Sequence, residues 1–192
     1  MIHPLENLLP NQRNQLGWIS LLAAAIVFAA IYAADLPLKT INVQVGPFRT
    51  AGLVGLSLSG SPEIASDVCG VWRGELRFLA GLALGLDFLL ILLYGVGLAA
   101  LAVSLGERLR GTRPVLFLCG RFAAWSVWIA AAADVLENVG LLRQLSATPA
   151  TPWTEVTFFA ATTKFILLGL AVLVLIAVGL MAWKTPVRQS AP

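Results

Sequence analysis

Residues 78–104, FLAGLALGLDFLLILLYGVGLAALAVS, decide the fold. The run holds one charged side chain, Asp87. At ~1.5 Å of rise per residue a helix of this length crosses a hydrocarbon core of ~30 Å. Residues 88–103 alone would reach only about 24 Å, so the helix needs the part around Asp87, and that carboxyl is expected inside the membrane.

Three more apolar runs flank this one, at about 17–35, 115–139 and 155–183, which predicts an all-α integral membrane four-helix bundle in a single transmembrane domain spanning residues 1–192. The first run, ISLLAAAIVFAAIYAA with its flanks, exceeds the apolar core of a signal peptide and has only Arg13 before it as a positive charge. It is therefore expected to be retained. Composition agrees: 58% of residues are apolar and only 12% charged, against about a quarter charged in soluble domains.

Orientation follows from the cations. Arg108, Arg110 and Arg113 crowd the short GERLRGTRP turn after the second run, and Arg13, Lys184 and Arg188 lie towards the termini. Short loops rich in Arg and Lys stay on the cytoplasmic side, which predicts an N-in, C-in topology. Trp18 and Trp183 then fall at the inner boundary and Trp72 and Trp153 at the outer one, as interfacial belts. Arg121 is expected to extend to the inner headgroups.

The outer connection, residues 36–77, carries a strand-like INVQVGPF (41–48), a Gly/Ser-rich part, and a short helix started by Ser61-Pro62-Glu63. Ile64, Val68 and Val71 recur at near-helical spacing, so this helix is expected to be amphipathic and to lie on the membrane surface. Gly81 and Gly85 form a small-xxx-small pair that reads as a helix-packing face.

Several function classes are excluded or disfavoured. The net charge of +3 comes without a dense basic run, which argues against nucleic acid. Two cysteines and one histidine, His3, cannot supply a disulfide framework, a four-cysteine metal site or an imidazole-rich metal centre. No cofactor fingerprint is present, so no cofactor is expected. Cys69 and Cys119 fall on opposite sides and are not expected to pair.

The polar residues inside the spans remain. Asp134, Glu137 and Asn138 are spaced i, i+3, i+4 and share one helical face, with the small Ala130 and Ala131 next along it. Tyr94 follows Asp87 by seven residues on the same face, and Lys164 lies a similar depth into the fourth run, sharing a face with Thr157, Ala160, Ala161 and Leu168. All lie towards the outer end, which predicts one cluster. Three carboxyl groups facing one ammonium leave an excess of negative charge, so a shared proton, a small cation or an amine headgroup would suit it. Two plainer readings stand beside this one. Lys164, Asp134 and Glu137 can be ordinary helix-end charges, or the cluster can serve only to fix helix register.

The succession LVGLSLSGSPE, Trp72-Arg73-Gly74, LGLDFLLILLY, ADVLENVGLL and Lys164-Phe165 resembles an uncharacterised group of small bacterial four-helix integral membrane proteins, over most of residues 52–170. The resemblance implies the same fold, a bacterial inner-membrane location, and emphasis on Asp87, Tyr94, Asp134, Glu137, Asn138 and Lys164. It also carries an acidic residue where this chain has Ser57. It implies no activity.

The expected function is a small multipass membrane protein that binds or conducts a proton, a small cation or an amphiphile through Asp87, Tyr94, Asp134, Glu137, Asn138 and Lys164. The bilayer is its partner, and a homo-oligomer would help build any pathway. Two alternatives are an accessory or assembly subunit of a larger membrane complex, and a membrane enzyme using the carboxyls as acid and base on a lipid.

Overall fold

A computed structural model describes residues 3–40, 52–146 and 152–184. A 3-10 turn, Pro4–Asn7, precedes six α-helices: α1 Pro10–Lys39, α2 Leu53–Ser57, α3 Pro62–Val71, α4 Glu75–Leu109, α5 Pro114–Ser146 and α6 Trp153–Lys184. Of these, α1, α4, α5 and α6 are long and apolar enough to cross a membrane. The chain is an all-α, multipass membrane bundle. The strand-like residues 41–48 lie outside the described residues.

Each long helix extends beyond the apolar run that marks it. α1 starts at Pro10, where a missing amide hydrogen costs nothing, and runs on through Pro37 to Lys39. α4 covers 35 residues, about 52 Å at ~1.5 Å per residue, so its ends project beyond the ~30 Å core. It stops in a tight turn in which the Arg113 amide donates to the Leu109 carbonyl at 2.7 Å. Pro114 then opens α5.

α4 is the centre of the bundle: α1 packs along one side of it and α5 along another, and α6 packs mainly on α5. Small residues set these approaches. A Cβ on Gly97 would sit 2.8 Å from the Leu21 side chain, and one on Gly17 3.0 Å from Leu101, so this pair brings α1 onto α4. A Cβ on Gly120 would lie 2.8 Å from the Ala102 carbonyl oxygen and 3.0 Å from Gly106 Cα, so here the α4 and α5 backbones nearly touch. Gly81 and Gly85 do not form the expected packing face. A Cβ on either would meet nothing within 4 Å.

One end of the bundle, the terminal face, carries the start of α1, the α4–α5 turn and the end of α6. The other, the loop face, is capped by α2 and α3. Asp35 near the end of α1 accepts the Leu53 amide at 2.9 Å and pairs with Lys39 at 2.7 Å, which anchors the start of α2. Ser61 caps α3 by accepting from the Ile64 amide. α3 folds over the bundle rather than along a membrane surface: Ala65 and Val68 are fully buried, Ile64 packs against them, and Val71 is exposed. The helical repeat of Ile64, Val68 and Val71 misplaced the apolar face because the buried stripe runs through Ala65. Trp72, expected in an interfacial belt, is fully buried in the same cluster with Leu56, Leu84 and Leu141. Arg77 donates to the Leu145 carbonyl oxygen and ties α4 to the end of α5. Burial pushes the Cys69 thiol up to about 11 against the opposing Arg77, so it is not a thiolate at neutral pH.

The amino-terminal segment docks against the terminal half of the bundle. Leu5 packs against the cluster that contains Ala99, Val103 and Val127. Glu6 pairs with Arg121 at 3.1 Å, so Arg121 is held by the protein's own carboxylate and does not simply reach for headgroups. Arg13, buried, donates to Ser104 at 3.1 Å. His3 is fully buried, packed edge-on against Trp125, with Nε2 3.1 Å from Trp128 Nε1 and Nδ1 3.3 Å from the Leu5 amide. A neutral imidazole offers one bare nitrogen at a time, and an imidazolium offers none. Either bond therefore requires the uncharged ring.

Burial pushes the His3 imidazole below its ordinary value of 6.5; the Glu6 carboxylate opposes this and the Arg121 guanidinium adds to it. The undocked segment thus takes up a proton more readily than the docked one. Docking is at full strength above about 6.5 and weakens as the pH falls below it. Acidification from about pH 8 to about pH 5 should expose the first residues to limited proteolysis and change the fluorescence of Trp125 and Trp128. A His3→Phe variant should show neither change. Equal pH dependence in that variant would assign the effect elsewhere.

Candidate functional site

Three spans place their polar side chains at one height. Asp87 is 12 residues in from Glu75 on α4, Asp134 is 12 residues from Ser146 on α5, and Lys164 is 11 residues in from Trp153 on α6. Because all three distances are measured from the loop face, the side chains meet. Lys164 Nζ lies 2.7 Å from Asp134 Oδ1 and 2.6 Å from Glu137 Oε2, bridging α6 to two successive turns of α5. The Tyr94 hydroxyl donates to Asp134 Oδ2 at 2.9 Å. Asn138 Nδ2 donates to Asp87 Oδ2 at 2.8 Å. All six residues predicted for the site are brought together.

They are also withdrawn from the surface. Asp134, Glu137, Asn138 and Lys164 are buried, while Asp87 and Tyr94 are partly so. The reading of Lys164, Asp134 and Glu137 as helix-end charges is thereby excluded, since such charges turn outward. The small residues assigned to these faces are all buried: Ala130 and Ala131 on α5, Ala160 and Ala161 on α6.

Sequence reasoning missed further contributors. Ser57 donates to Glu137 Oε1 at 2.6 Å, a charge-assisted bond that takes its only proton in preference to the 3.1 Å contact with the Leu53 carbonyl. It thus stands directly against the Glu137 carboxylate. Asp35 and Lys39 line the same space from α1. Ser57 carries no signal of its own in the sequence. For Asp35 and Lys39 the only signal was their i, i+4 spacing.

The cluster forms one wall of a cavity of about 310 Å³. Its other walls are largely apolar, Phe28 and Ile31 from α1, Leu90 from α4, Phe165 and Leu168 from α6, with Val54 above, and Asp35 and Lys39 are the charged exceptions on α1. Phe28 and Phe165 are exposed on the outside of the bundle. Their helices have no extensive contact with each other, so the cavity opens sideways between α1 and α6.

Fold and site together define a multipass membrane protein with a buried cluster of charged side chains beside a lateral, largely apolar cavity. No protein-family profile matches the chain, and no similar curated protein or solved structure was found.

Proposed function

We propose that this protein binds an amphiphile from the surrounding leaflet, taking its polar head at Asp87, Tyr94, Asp134, Glu137, Asn138 and Lys164 and its hydrocarbon chain along the apolar wall. The observation that carries this reading is the composition of the cavity. Charged groups line one side, and Phe28, Leu90, Phe165 and Leu168 line the path that leads to them from the lipid side. Pockets that are mostly apolar with a few convergent polar groups are the usual form of ligand sites. Conduction of a proton or a small cation is less well supported. Towards the terminal face the interior between α4, α5 and α6 is filled by Ala99, Ala102, Val103, Ala124, Val127 and Ala171.

A bacterial inner membrane with both termini inside fits the arginines of the α4–α5 turn. The loop-face cavity then draws on the outer leaflet.

A Leu90→Trp substitution fills the cavity without touching the ion pairs. Added single-chain amphiphiles should raise the melting temperature of the purified parent protein and leave that of Leu90→Trp unmoved, with both proteins equally helical. Equal stabilisation of parent and variant would place the ligand somewhere else.

A further inference from the structure

Resting on that reading, we propose that the head of the amphiphile is a hydrogen-bond-donating cation, a primary or secondary ammonium on a single hydrocarbon chain. The site is short of donors. The Lys164 ammonium is spent on Asp134 and Glu137, the Tyr94 hydroxyl on Asp134, the Ser57 hydroxyl on Glu137 and the Asn138 amide hydrogen on Asp87. Asp134 has both oxygens hydrogen-bonded, and Glu137 accepts from Ser57 at Oε1 while Oε2 is met only by the charge of Lys164, without a hydrogen bond. Asp87 has only Oδ2 engaged by the described residues.

Among the described residues Asn138 Oδ1 has no donor, although the residue is only 1% exposed. Turning the amide over would not relieve it, because that would set Oδ1 against the Asp87 carboxylate. The pairing with Asp87 fixes the orientation. A buried acceptor without a partner is costly, and Asn138 lines the cavity together with its partner Asp87. One N–H-bearing head would serve both.

Charge points the same way. Asp35 and Lys39 offset each other, so Asp87, Asp134 and Glu137 stand against Lys164 alone, an excess of carboxyl over ammonium groups in a setting of low dielectric where it is strongly felt. A carboxylate or phosphate head would add to it. An ammonium reduces it and donates to Asp87 Oδ1 and Asn138 Oδ1 together.

The single chain follows from the groove. The cavity shares Phe28, Leu90, Tyr94 and Leu168 with a second hollow that continues to Leu98 and Val172, lying over α4 between α1 and α6. From Asp87 to Leu98 is about 16 Å at ~1.5 Å per residue, close to half of a ~30 Å core and hence the reach of one leaflet's chain. The cavity, at about 310 Å³, is at the small end of the ~300–1,000 Å³ range of ligand pockets, which suits one chain rather than two.

The full-length protein in neutral detergent tests this by thermal stabilisation with dodecylammonium, dodecanoate, dodecylglycerol, ethylammonium and sodium ions as probes. Dodecylammonium should stabilise with the highest affinity. Asp87→Asn, which keeps an acceptor for Asn138 but removes the charge, should weaken it by about tenfold or more. Leu90→Trp, which blocks the chain, should abolish it. Dodecanoate or dodecylglycerol binding as tightly as the amine would overturn the cationic head while leaving an amphiphile site intact. Ethylammonium or sodium binding as tightly as dodecylammonium would overturn the amphiphile reading, since the chain would then contribute nothing. No stabilisation by any probe would sink both.

Discussion

Replacing Lys164 by methionine should destabilise the bundle by about 3–5 kcal/mol, the usual cost of removing one partner from a buried ion pair. The substitution keeps the length and apolar stem of the side chain, so packing against Ala160, Ala161 and Leu168 is little changed. What is lost is the ammonium 2.7 Å from Asp134 and 2.6 Å from Glu137. Tyr94 and Ser57 still donate to these carboxyls, but one neutral hydroxyl each does not offset the missing charge. Unfolding by a denaturing detergent, followed by far-ultraviolet circular dichroism, measures the loss. Adding Asp134→Asn and Glu137→Gln to Lys164→Met should recover most of it, because a group of neutral polar residues avoids the unpaired charges. A single variant as stable as the parent would mean that the ion pairs do not hold α5 to α6.

That expectation separates two roles that the same residues can play. Lys164, Asp134 and Glu137 satisfy one another and bind α6 to α5. Asp87 and Asn138 satisfy one another only in part and face the cavity. The plain reading, in which the cluster fixes helix register, describes the first group. The ligand proposal needs the second, and Asp87→Asn should therefore cost much less stability than Lys164→Met.

The legible part of this protein was whatever depends on periodicity along one helix. Four apolar runs, and the i, i+3, i+4 placement of Asp134, Glu137 and Asn138, follow from the geometry of an α-helix in hydrocarbon. The common depth of Asp87, Asp134 and Lys164 followed too, since antiparallel spans of similar length bring loop-end positions together. Contacts set by tertiary folding of short segments were not legible. Ser57 reaches Glu137 only because Asp35 accepts the Leu53 amide and fixes α2 over the bundle. Trp72 is an aromatic at the end of a loop, and composition cannot distinguish a belt tryptophan from one covered by a folded-back helix. His3 and Arg121 were read alone, as a tail residue and a snorkelling cation. The docking of residues 3–9 joins them through Glu6 and Trp128. The glycine reading failed for a related reason. Gly81 and Gly85 match a spacing motif, but close approach is made at Gly97 and Gly120, where the partner helix also presents a small residue, Gly17 or Gly106.

Gly140→Ala should cost about 1–3 kcal/mol, although alanine is the better helix former, because the added methyl has nowhere to go. It would overlap Thr157 Oγ1 and lie 3.4 Å from Thr157 Cβ and 3.6 Å from the Trp153 carbonyl oxygen. Thr157 cannot swing aside freely. It is fully buried, donates to the Trp153 carbonyl at 2.7 Å and accepts from Gln144 Nε2 at 2.9 Å. Relief must come from moving α6 away from α5. Gly140 is one turn from Glu137 and Thr157 two turns from Lys164, so that movement stretches the ion pairs between the two helices. Loss of stability should therefore be accompanied by weaker stabilisation by dodecylammonium. Thr157→Ala removes the obstructing oxygen but leaves the Gln144 amide without its acceptor, with its own cost of about 1–3 kcal/mol. In the double variant the methyl and the hydroxyl no longer meet, so the combined loss should be smaller than the sum of the two single losses. Strict additivity in that cycle would show that the overlap at Gly140 does not set the α5–α6 spacing, and with it that the height of Lys164 against the carboxylates is fixed by something other than this crossing.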